Sequence, residues 1–305
     1  MSERLLIVGG GKVGRGLASA FRSGGLDVLG VHARTPREGA TSSGSIRDAV
    51  SSPPNKTSNG ALVKALGDAN VIIIAVVDRA VDAVCGELLA TARAHPRTIA
   101  QGTVMLNTSG TVAPANYSDL RQLGFPCGTF HPLAPFATAE RGAAAVRDGW
   151  IGIEGDATAC ATARRLAAAL GARTINIPSH GKAAYHAAAV IASNFPIVLA
   201  ALATRLLVNV GIDERAGAQA VQHLMRAAVS NLEAGAPAFV LTGPAVRNDT
   251  ATLAAHREAL AGDSEIAAVY DALTRAARSL AAEHGALIDD AGVGGRREAK
   301  GGTGD

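Results

Sequence analysis

Short apolar runs alternate with amphipathic stretches through the first half of the chain. Residues 5–8 are the first such run, and Val13, Leu17 and Phe21 follow at a spacing of four, which marks one face of a helix. Further apolar runs predict strands at 27–34, 71–77, 104–107, 127–130, 150–153 and 174–177. Amphipathic stretches predict helices at 79–94, 115–123 and 157–170. This alternation predicts an α/β Rossmann domain, a doubly wound parallel sheet, over residues 1–178.

The pattern changes after that domain, because every later segment predicts helix. We expect an all-helical domain over residues 179–290. Breaks between its helices are expected at Pro196, Gly211, 235–237 and 243–244. Residues 291–305 are rich in glycine and charge and lack periodicity, which predicts a disordered tail.

One stretch of the helical half is apolar almost throughout. Residues 187–203 approach the length of a membrane span, but Ser193, Asn194 and Pro196 interrupt them. No second stretch of this kind accompanies it. We therefore interpret it as the buried central helix of a soluble domain and expect no membrane association.

A glycine-rich turn separates the first strand from the first helix. Gly9, Gly11 and Gly14 form G-x-G-x-x-G in that position. The first glycine permits a tight turn, the second lets a pyrophosphate approach the backbone, and the third lets helix and strand pack closely. The helix N-terminus adds free N–H groups and a partial positive charge. These features predict a dinucleotide site formed by Gly9, Gly10, Gly11, Lys12, Val13 and Gly14.

The end of the second strand indicates which nicotinamide cofactor binds. An acidic residue there would hold the ribose hydroxyls of NAD, whereas an arginine accommodates the 2′-phosphate of NADP. This chain has Arg34 and Thr35, then Arg37, and no acid before Glu38. A solvated basic loop would have the same composition, but the pattern favours NADP(H).

Polar residues follow three more of the predicted strands. Val76, Val77 and Asp78 end one strand, Ser109 follows another, and His131 ends a third just before Pro132. Ligands of open α/β sheets bind outside the carboxyl ends of strands, so these residues are candidates for the site. Asp78 and Ser109 could instead cap the helices that follow them.

The first helix of the second domain has a polar stripe. Lys182, His186 and Ser193 share one helical face, which Tyr185 and Asn194 flank. A solvated face would have more charges, so we favour a stripe that faces a ligand. Farther along, Arg247 and Asp249 lie beside a Gly-Pro turn. They could form an ion pair or an anion clamp.

Composition narrows the function classes. Net charge is only +3 and aromatic residues are 3%, so nucleic-acid binding has little support. The three cysteines are far apart and lack a C-x-x-C motif, which predicts reduced thiols and neither disulfide nor metal site. The first predicted strand begins at once, so we expect no signal peptide. We expect a cytoplasmic protein.

These motifs resemble one family. GGGKVGRG, Ser109-Gly110, FHPLAPF, GKAAYHAAAVIASNF and LTGPAVRND, in this order, are similar to Rossmann-like NADP oxidoreductases that have a helical C-terminal domain of unknown function. The architecture resembles ketopantoate reductases, pyrroline-carboxylate reductases and 6-phosphogluconate dehydrogenase-like enzymes. The resemblance implies a lysine or similar donor on the first helix of the second domain, and dimers formed through that domain. The chain departs from the family at Asn248, where glycine is usual, and at 134–135.

The combined hypothesis is an NADP(H)-dependent reductase or dehydrogenase. It would act on a small carbonyl or imine compound, with a carboxylate expected on the substrate. His186 or Lys182 would donate the proton between the domains, while Ser109 and Asn194 orient the substrate and His131 contributes to the site. The alternatives are a non-catalytic NADP-binding redox sensor or partner module, and hydride exchange with a deazaflavin.

Overall fold

An eight-stranded sheet forms the centre of the first half of the chain. A computed structural model describes residues 3–35, 40–46, 57–113 and 117–294. The strands lie in the order β3-β2-β1-β4-β5-β6-β7-β8. Their bounds are β1 (Arg4–Val8), β2 (Asp27–Ala33), β3 (Ser42–Ser43), β4 (Val71–Ile74), β5 (Val104–Asn107), β6 (Cys127–Pro132), β7 (Trp150–Gly155) and β8 (Arg173–Asn176). The Rossmann-type α/β fold predicted from the sequence is confirmed.

One strand pair corrects the prediction of a parallel sheet. β7 pairs with β6 in the antiparallel direction, whereas every other neighbouring pair is parallel. Pro132 at the end of β6 lies opposite Ile151 near the start of β7. The connection between them contains only one short helix, Ala139–Val146, too short a crossover to return the chain along the whole strand.

Both faces of the sheet are covered, which explains its continuous apolar strands. Along β1, Leu5 and Ile7 point into one core, while Leu6 and Val8 point into the other. The helices of this half are α1 (Lys12–Ser23), α2 (Thr57–Asp68), α3 (Asp78–Ala94), α4 (Ser118–Gln122), α5 (Ala139–Val146) and α6 (Ala157–Ala169).

Contacts divide the chain into two compact units, Met1–Phe195 and Pro196–Asp305. The division falls within α7 (Lys182–Asn209), so the first turns of this helix belong to the unit that contains the sheet. The predicted boundary at 178 follows the end of β8 and remains a prediction about domain organisation. The second unit continues with α8 (Glu214–Ser230), a 3₁₀ turn (Asn231–Glu233), α9 (Pro237–Val240), α10 (Thr250–Ala259) and α11 (Ser264–Gly294).

Helix α7 differs from the sequence prediction in two ways. It passes through Pro196 without a break. The proline removes one backbone hydrogen bond, but several helical turns on each side of it keep theirs. It is also exposed in the single chain rather than buried, with Ile191 60% and Ile197 72% accessible. By length and composition, α7 is the one helix among the described residues that could cross a membrane.

The other helix boundaries of the second unit follow the glycine and proline signals. Gly211 and Gly243 have φ values of +88° and +114°, in the region that favours glycine, and both lie in the turns that follow a helix. The predicted tail begins inside α11, which extends to Gly294. The rest of that prediction, residues 295–305, lies outside the described residues.

Candidate active site

The glycine-rich turn has the geometry that its spacing predicts. Gly9 has φ +137°, and a Cβ there would collide with the Ala75 carbonyl of the neighbouring strand end. At Gly14 a Cβ would collide with the Gly9 carbonyl and contact the Ile7 side chain, so the third glycine permits close packing of α1 on β1. The turn therefore brings the start of α1 directly above the end of β1.

Gly11 differs from the other two because open space lies before it. A Cβ at this position would have no atom within 4 Å. It is the N-cap of α1, no side chain caps the helix there, and Lys12 next to it is exposed. Free backbone N–H groups beside an open space are what an anionic pyrophosphate requires. The described residues thus fit a dinucleotide at this turn.

The end of β2 presents its basic residue to solvent beside this turn. His32 is buried, with Nδ1 3.0 Å from the Ser42 hydroxyl and Nε2 3.0 Å from the Gly44 carbonyl. Its carbonyl accepts the Gly9 N–H at 2.8 Å, which ties the strand end to the glycine turn. Burial lowers the pKa of His32. Arg34 and Thr35 follow it and are exposed, while Arg37 lies outside the described residues.

A chain of hydroxyl groups connects the ends of β4 and β5. Thr111 donates to the Asp78 carboxylate at 2.6 Å, and its hydroxyl lies 3.1 Å from that of Ser109. Ser109 Oγ also accepts the backbone N–H groups of Thr111 and Val112. Ser109 therefore caps a turn, whereas the structural alternative expected it to cap a helix. Asp78 is the first residue of α3 rather than its N-cap, which is Val77.

At the end of β6, His131 forms a hydrogen bond with a residue of α7. Its Nδ1 lies 2.7 Å from the Tyr185 hydroxyl. Burial lowers the pKa of His131 to about 4, with repulsion from His186 and Lys182 adding to the effect and Asp78 opposing it. Burial also raises the pKa of Tyr185. The pair is therefore neutral at pH 7, with a proton available in a short hydrogen bond.

A second imidazole lies beside this pair, and one glycine makes room for both rings. The rings of His131 and His186 are 5.8 Å apart. A Cβ at Gly110 would collide with His186 Nδ1 and lie 3.0 Å from His131 Nε2. His186 Nδ1 is buried and has no hydrogen-bond partner among the described residues. Such an atom is costly unless a ligand bonds to it.

The other members of the predicted stripe lie elsewhere. Lys182 is 5% exposed, and its ammonium group donates to the Thr129 hydroxyl at 2.8 Å and to Glu154 at 2.9 Å. Ser193 and Asn194 are exposed, and the Ser193 hydroxyl lies within hydrogen-bond distance of the Ala189 carbonyl and the Asn194 side chain. Lys182, His186 and Ser193 share a helical face, but only the beginning of α7 is buried. The ligand-facing role of the stripe stays a prediction from spacing.

The Gly-Pro turn of the second unit has a structural explanation. Asp249 is the N-cap of α10 and accepts hydrogen bonds from the backbone and hydroxyl of Thr252. These bonds lower the pKa of Asp249, and Arg247 adds to the effect. Asn248 has φ +53°, a conformation that favours glycine and that asparagine also adopts.

Sequence reasoning missed four residues of this site. Tyr185 was placed only beside the polar stripe, and Gly110, Thr129 and Glu154 were not singled out as site residues. The Tyr-His pair one turn after Lys182 was a signal for Tyr185. Thr129 and Glu154 depend on the pairing of β6 with β7, and Gly110 depends on the assembly of β5, β6 and α7. No short-range pattern predicts either arrangement.

Comparison with known proteins agrees with this fold. Residues 150–277 match the family model described as "Domain of unknown function (DUF2520)". No curated protein sequence matches the chain. Among solved structures, a protein described as an NADP oxidoreductase, BF3122 from Bacteroides fragilis, is similar with a TM-score of 0.64 and 20% identity over 91% of this chain and 98% of that one.

Two further structures share the fold at lower identity. The pyrroline-5-carboxylate reductase of Coxiella burnetii has a TM-score of 0.56 and 14% identity, covering 93% of this chain and 98% of its own. A reductive aminase from Aspergillus terreus, in complex with NADPH and ethyl-5-oxohexanoate, has a TM-score of 0.58 and 17% identity, covering 93% and 100%.

The fold is thus that of the Rossmann-type NADP reductases. This chain combines that fold with a match to the DUF2520 model over residues 150–277. The resemblance stated from the motifs is confirmed at the level of the fold.

Proposed function

We propose that this protein is an NADP(H)-dependent oxidoreductase that transfers a hydride between NADPH and a small carbonyl or imine compound. The observation that carries the proposal is the position of two features on one sheet. The open glycine turn follows β1, and the His131–Tyr185–His186 cluster gathers at the end of β6, which runs in the same direction. Ligands of such sheets bind along this edge.

The described residues that would hold the cofactor are those of the turn and of the β2 end. Backbone N–H groups at the start of α1 would bind the pyrophosphate before Gly11, and Arg34 with Thr35 would bind the 2′-phosphate. Val76, Val77 and Asp78 follow β4 at the same edge. The bound cofactor would supply the hydride.

Reduction of a carbonyl also requires a proton. Hydride addition to the carbon breaks the C=O π bond and leaves an alkoxide, which takes a proton from the Tyr185 hydroxyl. His131, with its proton on Nδ1, would donate a hydrogen bond that stabilises the tyrosinate oxygen 2.7 Å away, and solvent water would then return a proton to that oxygen and leave as hydroxide. His186 Nδ1 has no partner in the described residues and is suited to bond the substrate oxygen or nitrogen.

This assignment changes the roles expected from the sequence. The Lys182 ammonium is held by Glu154 and Thr129, so it supports neither the proton-donor role nor the binding of a substrate carboxylate. His186 stays in the site as a substrate-binding group. A carboxylate on the substrate remains a prediction from the resemblance.

The proposal is tested by cofactor titration followed by turnover. NADPH binding is measured by fluorescence, and NADPH consumption is then followed with cyclic imines, 2-keto acids, simple ketones with amines, and a deazaflavin. We expect binding, and oxidation by at least one carbonyl or imine compound. If only the deazaflavin oxidises NADPH, the substrate is a deazaflavin and not a carbonyl or imine compound.

The second candidate is a non-catalytic NADP-binding sensor, which the burial of Ser109 in its own turn and the engagement of Lys182 would suit. Tight NADPH binding without consumption by any compound in the panel would favour it.

A further inference from the structure

Two cross-strand pairs on one face of the β6–β7 ladder receive the beginning of α7. Thr129 lies opposite Glu154, and His131 lies opposite Gly152. Because alternate residues of a strand share a face, Thr129 and His131 point the same way, as do Glu154 and Gly152. The antiparallel direction of β7 therefore creates two adjacent contact sites for α7 on this face, the first at Thr129 and Glu154 and the second at His131 and Gly152.

The first contact site binds an ammonium group. Lys182 donates to Thr129 at 2.8 Å and forms an ion pair with Glu154 at 2.9 Å. The lysine and glutamate side chains are only 6% and 12% exposed. Burial lowers the pKa of Lys182, and the bond and charge of Glu154 oppose that shift. Opposite charges buried together in this way are costly to separate.

The second contact site binds a tyrosine three residues farther along the same helix. A Cβ at Gly152 would collide with the Tyr185 hydroxyl, so only glycine leaves room for it. The hydroxyl then reaches His131 Nδ1 at 2.7 Å. Residues three apart on a helix are neighbours on its surface. Binding of Lys182 at the first contact site therefore fixes the position of Tyr185 at the second contact site.

We infer that Lys182 is a positioning residue, whose ion pair with Glu154 docks the first turn of α7 on the β6–β7 ladder and holds Tyr185 on His131. The inference rests on the proposed function for its catalytic meaning, but the docking itself is a property of the chain alone.

The same geometry argues against Lys182 as the proton donor. Transfer of a proton from its ammonium group would leave the Glu154 carboxylate buried without a compensating charge. The donated proton would also have to leave a group that is 5% exposed and directed at Thr129 and Glu154 rather than at His186 or Tyr185.

Two double variants of the full chain separate docking from proton donation. Lys182→Met with Glu154→Gln removes both charges but keeps side chains of similar length. Lys182→Ala with Glu154→Ala removes the charges and the contact. Neither leaves an unpaired buried charge, which makes both better suited to folding than the single variants.

The first readout needs no substrate. Side-chain ¹⁵N NMR of His131 at pH 7 reports its hydrogen bond to Tyr185, and Tyr185→Phe supplies the signal of the broken bond. We expect Met/Gln to keep the wild-type signal and Ala/Ala to move to the Tyr185→Phe signal. Arg93→Met, which breaks the exposed Arg93–Asp119 pair, should leave His131 unchanged. A wild-type signal in Ala/Ala, or a broken bond in Met/Gln, overturns the inference.

Turnover of a compound reduced by the wild type gives the second readout. A positioning role predicts that Met/Gln stays within about tenfold of wild type, whereas the loss of a general acid costs about 10²–10⁴-fold. Equal losses of that size in both double variants would make Lys182 the donor and overturn the inference. If the wild type reduces nothing, the proposed function fails, and the NMR comparison still decides whether the ion pair docks the helix.

Discussion

At the scale of single residues, glycines decide where the site's imidazoles lie. Gly110 faces His131 and His186, and any Cβ there collides with one ring and crowds the other. We predict that Gly110→Ala lowers turnover by about 10²-fold, the cost of misplacing reacting groups by roughly 1 Å. NADPH affinity should stay unchanged, because the glycine turn is elsewhere. Steady-state kinetics and NADPH titration measure the two effects.

Gly86→Ala is the matched control, since Gly86 lies within α3 and a Cβ there has nothing within 4 Å. It should preserve both turnover and binding. Full activity in Gly110→Ala would show that the two rings have no part in the reaction.

The buried imidazole of His131 also makes stability depend on pH. Its pKa is about 4 in the folded chain and 6.5 when unperturbed. Between these values the unfolded chain binds a proton that the folded chain does not, so the free energy of unfolding falls as the pH is lowered from 6.5 towards 4. We predict that His131→Gln flattens this dependence, measured by urea unfolding at pH 7 and pH 5.

His32, whose pKa is also lowered by burial, stays in both proteins and contributes the same background. The two proteins should therefore differ in the pH dependence, whatever their stability at pH 7. Parallel curves for wild type and His131→Gln would mean that His131 is not held neutral in the fold.

At the scale of elements, we expect the end of β2 to determine the cofactor preference. Arg34 is exposed immediately after the strand whose last residues contact the glycine turn. We predict that Arg34→Ala weakens NADPH binding by about tenfold or more, since a charge-assisted hydrogen bond contributes roughly 1.5–3 kcal/mol. NADH affinity should not change, because NADH lacks the 2′-phosphate. Calorimetric titration with both nucleotides measures the difference.

Gly11→Val is the companion variant, because its side chain would occupy the open space before α1. It should abolish binding of both nucleotides. Equal affinity of the wild type for NADPH and NADH would contradict the assignment of Arg34.

Much of the architecture follows from periodicity. The apolar runs located the seven longer strands, and the helix predicted at 157–170 is Ala157–Ala169 in the structure. The direction of β7 could not be predicted, because it depends on how the 133–149 connection packs rather than on its own residues. The sequence predicts a break at Pro196, because a local signal cannot show that the flanking turns continue the helix.

One part of the candidate site could likewise be predicted from the sequence, and another part could not. The glycine turn could be predicted because its strand, turn and helix are contiguous in sequence. His131 and His186 were identified as polar residues at the correct places, but their meeting at Gly110 requires β5, β6 and α7 to be assembled. The ion pair of Lys182 could not be predicted, because its partner Glu154 lies 28 residues away on a strand whose direction the sequence does not indicate.

At the scale of the whole molecule, the exposed face of α7 leads us to expect a homodimer. Ile191 and Ile197 are among its accessible apolar side chains. Within the second unit, α7 and α8 border an open, mainly apolar groove of about 1160 Å³. Apolar surfaces of this kind are typical of interfaces between subunits. A cytoplasmic location remains a prediction from the sequence.

We predict that the full chain is dimeric in light scattering at micromolar concentration. Ile197→Glu should raise the dissociation constant at least about tenfold, because burying one such side chain contributes roughly 1.5–3 kcal/mol. Ala168→Glu on the exposed side of α6 is the control and should leave the mass unchanged. A monomeric wild type would contradict the expectation.

The central claim is that this chain transfers a hydride from NADPH to a carbonyl or imine carbon beside Tyr185. The most direct test is a reaction with NADPH deuterated at the transferable position of the nicotinamide, with the product analysed by mass spectrometry. We predict one deuterium on the reduced carbon with the wild type, a strongly slowed reaction with Tyr185→Phe, and none with Gly11→Val. NADPH that binds but transfers no deuterium to any compound of the panel would contradict the account.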